Sequence, residues 1–112
     1  MCFKEGKYEW DNIGPYVSFE YFEGEGLYIC AYNRKKGKGE FIKLKKAEVG
    51  RWYKIRMEFD LSESKEYWVY IDGKYAGKGY VLVDKVNYIE LCAFSNTTCR
   101  KGYVDNILLL GQ

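Results

Sequence analysis

Hydrophobic and polar positions alternate along most of the chain, most cleanly over residues 51–73, RWYKIRMEFDLSESKEYWVYIDG. Tyr53, Ile55, Met57, Phe59 and Leu61 share one face, and Lys54, Arg56, Glu58 and Asp60 share the other. A period of two is what a strand with one buried face requires. Ser62-Glu63-Ser64-Lys65 is a polar reversal, after which Tyr67, Val69 and Ile71 alternate with Trp68, Tyr70 and Asp72. Asp-Gly tolerates the left-handed backbone of a tight hairpin turn, so Asp72-Gly73 ends this strand. The stretch predicts a β-hairpin closed by a tight turn, with further strands laid beside it.

The same pattern extends both ways. Residues 1–15 read as irregular, with a short strand near residues 7–10 and Pro15 just outside the next strand. Residues 16–22 set Val17, Phe19 and Tyr21 against Ser18 and Glu20, and residues 23–26 form a turn. Residues 27–33 place Leu27, Ile29 and Ala31 inward and Tyr28, Cys30 and Tyr32 outward. A basic, glycine-rich loop spans residues 34–39. A strand over residues 40–46 sets Ile42 and Leu44 against Lys43 and Lys45. Gly77 and Gly79 predict a bent or bulged strand over residues 74–83. Further strands are predicted over 86–95 and 103–110, with a turn over 96–102. No helical period is sustained and no repeat appears. Eight or so short strands between turns predict an all-β fold, an antiparallel two-sheet jelly-roll sandwich.

Length and charge narrow the classes. The 112 residues make one domain, 1–112. A formal net charge of +2 gives no basis for a nucleic-acid partner. Histidine is absent, which removes the commonest general base and metal ligand. Lys and Glu are abundant while Gln occurs only at Gln112, a bias resembling that of hyperthermophiles. No apolar run approaches the roughly 20 residues that span a bilayer, so no membrane insertion is expected. Charges in Met1-Cys2-Phe3-Lys4-Glu5 stand where a signal peptide would be apolar. Cys2, Cys30, Cys92 and Cys99 allow three complete disulfide pairings and lack the spacing of a zinc site. One or two disulfides would suit an extracellular or cell-surface module. Asn96-Thr97-Thr98 has the form of a glycosylation acceptor.

Residues 50–110 resemble the concanavalin A-like lectin/glucanase superfamily, especially its laminin-G-like modules. The resemblance rests on Gly50-Arg51-Trp52 opening a long strand and Tyr70-Ile71-Asp72-Gly73 ending the next. Ser95-Asn96 then forms a small-residue loop, and Tyr103-Val104-Asp105-Asn106-Ile107 a closing strand. It covers just over half the chain, which is short for the family and reads as a compact or truncated sandwich. The resemblance implies a jelly roll whose members bind glycans, mediate adhesion or hydrolyse glycans.

Several groups could carry chemistry. Trp68 and Tyr70, paired across the hairpin with Glu58 and Arg56, form an outward aromatic face flanked by charge. Sugar rings stack on aromatics while charged groups bond their hydroxyls, so Trp68, Tyr70, Arg56 and Glu58 are the candidate ligand-binding residues. Trp10 and Trp52 are expected to pack. Glu58, Asp60 and Glu63 have the E-x-D-x-x-E form that resembles the catalytic strand of laminarinase-like glycosidases, and hydrolysis would need two such carboxylates. Here, however, the motif lies inside the hairpin, where a solvated strand face explains it. Asp72, Asp105 and Asn106 offer oxygen ligands for calcium, without the Asp-rich loop that calcium sites use. Arg34 to Lys46 carries seven Lys/Arg and one Glu, a polyanion surface or a lysine-protected edge strand. The expectation is a binding or adhesion module, not an enzyme, with carbohydrate as ligand and no cofactor. The alternatives are a structural module that self-associates or packs on a neighbouring domain, and a glycosidase using Glu58 and Glu63.

Overall fold

The computed structural model of the protein describes residues 2–4, 13–35, 38–86 and 88–90. Eight strands follow in chain order: β1 (Cys2–Lys4), β2 (Ile13–Phe22), β3 (Gly26–Lys35), β4 (Lys38–Lys46), β5 (Ile55–Phe59), β6 (Glu66–Ile71), β7 (Lys74–Tyr80) and β8 (Tyr88–Glu90). They form an antiparallel five-stranded sheet, ordered β4-β3-β2-β1-β8, and an antiparallel three-stranded sheet, β5-β6-β7. No helix occurs among the described residues. The two sheets share one core, an all-β architecture compatible with a β-sandwich.

Alternation builds that core. Val17, Ile29 and Ala31 from the larger sheet meet Tyr67, Val69 and Ile71 from β6, with Leu61, Val81 and Val83 joining the same cluster. Each large apolar side chain buried in this way stabilises by roughly 1.5–3 kcal/mol. The Tyr67 hydroxyl would be costly to bury alone. It lies within reach of the main-chain carbonyls of Tyr16 and Tyr32 and donates to one of them at a time, tying β6 to β2 and β3. A Cβ on Gly79 would stand 2.5 Å from the Tyr67 ring, so the absence of a side chain there makes room for this tyrosine.

The hairpin register is the one alternation predicts: Ile55 opposes Ile71, Arg56 opposes Tyr70, Met57 opposes Val69, and Glu58 opposes Trp68. Asp72 and Gly73 have φ of 51° and 82°, the two positive values that a type I′ turn requires. The register of β6 with β7 shifts between Val69, opposite Gly77, and Tyr70, opposite Tyr75, which makes Ala76 the extra residue of the expected bulge.

Other expectations are corrected. Residues 2–4 form a strand, and Pro15 lies inside β2 and is buried. Cys2 faces Tyr16 and Lys4 faces Ile13, so β2 holds one more residue than β1 in that interval. Such an irregularity accepts proline because its missing N–H leaves no ladder bond unmade. The basic loop expected over residues 34–39 is largely strand, with β3 and β4 paired as far as Lys35 and Lys38. β5 stops at Phe59, and Leu61 is buried within the turn. Trp52, expected to pack, is 64% exposed. Cys30 and Tyr32 face away from Ile29 and Ala31 as expected, yet are buried. Cys30 is a free thiol, so none of the three complete disulfide pairings is present. The strand expected near residues 7–10, Trp10, the turn over residues 96–102, the final strand, Cys92 and Cys99 all lie outside the described residues. Of the strand expected over residues 86–95, Tyr88–Glu90 is described.

Candidate functional site

The outward face of the three-stranded sheet is a lattice set by register. Across its first row run Arg56, Tyr70 and Tyr75; across the second, Glu58, Trp68 and Lys78; Glu66 opposes Tyr80 in the third. All four candidate residues, Trp68, Tyr70, Arg56 and Glu58, therefore share one patch. The sequence reading missed Tyr75 and Lys78. The two-residue turn at Asp72-Gly73 would have placed Tyr75 beside Tyr70 by counting alone. Lys78 could not be counted, because the bulge at Ala76 changes the parity of β7 beyond that point.

Trp68 and Tyr70 differ in what they have free. The Arg56 guanidinium lies over the Tyr70 ring at 4.2 Å, and Tyr75 packs edge-on at 5.7 Å between centroids. These contacts occupy Tyr70 as a support. Trp68 is half-buried at the centre of the lattice, and no ring contact, ion pair or hydrogen bond among the described residues engages its side chain. The flanking charges are paired with one another: Arg56 Nε is 3.2 Å from Glu58 Oε2, and Lys78 Nζ is 3.3 Å from Glu66 Oε1. The hydrogen bond and charge of Glu66 raise the Lys78 pKa, so Lys78 remains an ammonium donor. A free indole between a paired carboxylate and a paired ammonium can stack an apolar ring face and hydrogen-bond groups at its rim.

The outward face of the larger sheet is aromatic too, and its described rings pack on one another. Phe41 packs against Tyr32 at 5.0 Å and Tyr16 at 6.3 Å, and Tyr16 against Tyr32 at 5.6 Å. Lys43 Nζ sits 4.4 Å from the Phe22 ring centroid and 2.7 Å from Glu25 Oε1. Cys30 lies between these groups, opposite Ser18 and Lys43. Burial, reinforced by Glu20, pushes its thiol pKa up to about 11, against the smaller opposing effect of Lys43. A thiol held neutral in this way is a poor nucleophile.

The carboxylate motif is split by the fold. Glu58 lies on β5, whereas Asp60 accepts from the Ser62 amide (3.2 Å) and hydroxyl (2.6 Å), and its carbonyl accepts from Glu63 and Ser64. Asp60 organises the turn, and Glu63 belongs to that turn and not to the strand. Asp72 is likewise engaged, accepting from Arg51 at 3.1 Å and from the Lys54 amide at 3.0 Å. No group of acidic or thiol residues among the described residues is arranged to hold a metal, and Asp105 and Asn106 lie outside them. On β4, the lysines alternate with Ile42 and Leu44 along a sheet edge, a placement that discourages edge pairing.

Comparison with known proteins finds no matching family model, no matching curated protein and no matching solved structure.

Proposed function

We propose that this chain is a non-catalytic binding module, a compact jelly roll of the concanavalin A-like, laminin-G-like kind, with a carbohydrate as ligand. The observation that carries the reading is the half-buried Trp68 ring, engaged by no ring contact, ion pair or hydrogen bond among the described residues and centred on a sheet face between Glu58 and Lys78. A pyranose stacked there would meet donors and acceptors already fixed by their own ion pairs, which lowers the ordering cost of binding. Glu58, exposed and bound to Arg56, suits a hydrogen-bonding group at the rim of the ring. The test is co-sedimentation with a panel of insoluble polysaccharides, comparing the parent with the Trp68→Ala/Tyr70→Ala variant. Retention of the parent that the folded double variant loses supports the reading. Equal behaviour of the two, or no retention of the parent on any polysaccharide, overturns it.

A second reading has its own observation. Phe19 and Tyr21 share the core-facing side of β2 with Val17 but are 52% and 54% exposed. Exposed rings on an otherwise inward face suit a module that associates with a second copy or a neighbouring domain. Light scattering that shows mass rising with concentration, abolished by Phe19→Ser/Tyr21→Ser, would favour this reading.

A further inference from the structure

One end of the molecule carries an apolar tip that the carbohydrate reading leaves unused. Residues 47–54 connect β4 to β5. At the start of this connection the Ala47 amide donates to the Leu27 carbonyl (2.8 Å), and the Glu48 amide donates to the Tyr53 hydroxyl (2.8 Å). At its end, Arg51 and the Lys54 amide both bond to Asp72 in the β6–β7 turn. Between these fixed points Gly50 turns the chain with φ of 83°. Val49 is 93% exposed and Trp52 64%. The connection is thus a pinned loop that holds an aliphatic and an indole side chain out into solvent.

The charges around it point to what it meets. Lys45 and Lys46 end β4, Lys54 leads into β5, and Lys74 follows the turn that clamps the loop. No ion pair among the described residues engages any of these four. Arg51 is held by Asp72, and Glu48 is the one acidic residue within the loop. On the neighbouring β2–β3 turn, Glu25 is held by Lys43. Glu23 and Glu48 thus oppose four unpaired lysines.

The geometry points to an interfacial docking loop: Val49 and Trp52 enter the headgroup region of an anionic lipid surface while Lys45, Lys46, Lys54 and Lys74 bind its charge. Indole favours the membrane–water boundary, and lysines beside an apolar anchor are attracted by anionic headgroups. A dry protein pocket would fit Val49 and Trp52 equally well but would not supply the counter-charge that anionic headgroups offer the four lysines. Two apolar side chains make a weak, reversible anchor and do not span a bilayer. No helix among the described residues is long and apolar enough to cross one.

The experiment is sedimentation of the whole chain with phosphatidylcholine vesicles, with and without phosphatidylserine. The parent is expected to bind only the anionic vesicles, less tightly as salt rises. Neutralising Lys45 and Lys46 together should weaken binding by about 25-fold, at roughly fivefold per lysine. Trp52→Ala should weaken it about tenfold, with Trp52→Phe in between. Because Val49 is almost wholly exposed, Val49→Asp repeats the test with a variant whose folding is not at issue. Binding unchanged by Trp52→Ala and Val49→Asp, or matched on soluble dextran sulfate, would overturn the inference. So would no sedimentation with either vesicle.

Discussion

On β6 the side chains divide sharply. Tyr67, Val69 and Ile71 enter the core, while Glu66, Trp68 and Tyr70 stay half-exposed. On β3 the division fails. Ile29 and Ala31 lie in the core, yet their neighbours Cys30 and Tyr32, facing the other way, are 0% and 8% exposed. A period of two therefore identifies a strand in both sheets, but it identifies the dry face only where the opposite face is wet. The difference also separates two kinds of aromatic surface. In the small sheet, Trp68 is free at the centre of a polar lattice. In the large sheet, Tyr16, Tyr32 and Phe41 pack on one another. Aromatic content alone does not distinguish a ligand platform from a second layer of packing.

The largest effect should come from the residue that joins the sheets. Tyr67→Ala removes a fully buried ring together with the hydroxyl that reaches β2 and β3. A loss of about 3–5 kcal/mol in chemical denaturation is expected, near the whole stability of a small domain. Gly79→Ala tests the seat of the same ring from the neighbouring strand of its own sheet. Its Cβ would press on the rigid Tyr67 ring, and about 1–3 kcal/mol should be lost. A neutral result would mean that the Tyr67 ring does not lie over Gly79 on the neighbouring strand.

Cys30 tests the outward face of the larger sheet. Its folded pKa of about 11 lies above the ordinary value of 9.0, so between those values the unfolded chain releases a proton that the native state keeps. Its contribution to stability is therefore full below about pH 9 and is lost as pH rises through about 11. The native thiol should resist alkylation at pH 8 and react fully in denaturant. Rapid native labelling would show that the outer face of β3 is open. The smallest effect belongs to the small sheet's surface: Arg56→Ala should cost only ~0.2–1 kcal/mol, because its partner Glu58 is also exposed.

Much of the small sheet was legible in the sequence. The alternation over residues 55–71 and the Asp72-Gly73 turn gave its strands and register, and hence the company of Trp68, Tyr70, Arg56 and Glu58. What could not be read depended on contacts distant in sequence. Pro15 sits inside a strand because β1 pairs irregularly with β2. Arg34 and Gly39 continue a hairpin because β3 and β4 keep pairing through a stretch whose glycines suggest a loop. Trp52 looked like core by residue type alone, whereas its loop is pinned outward by Asp72 and Tyr53. The distinction between a free Trp68 and an occupied Tyr70 also lay beyond the pattern, since it depends on where the Arg56 side chain lies.

The contrast between the two aromatic faces is tested most directly by affinity electrophoresis through polysaccharide-containing gels, with Trp68→Ala and Phe41→Ala run beside the parent. Trp68→Ala is expected to lose retention at least about tenfold while keeping its melting temperature. Phe41→Ala should keep its retention and melt earlier, because its ring supports Tyr32 and Tyr16. Retention lost in Phe41→Ala and kept in Trp68→Ala would contradict the account, placing the ligand on the larger sheet.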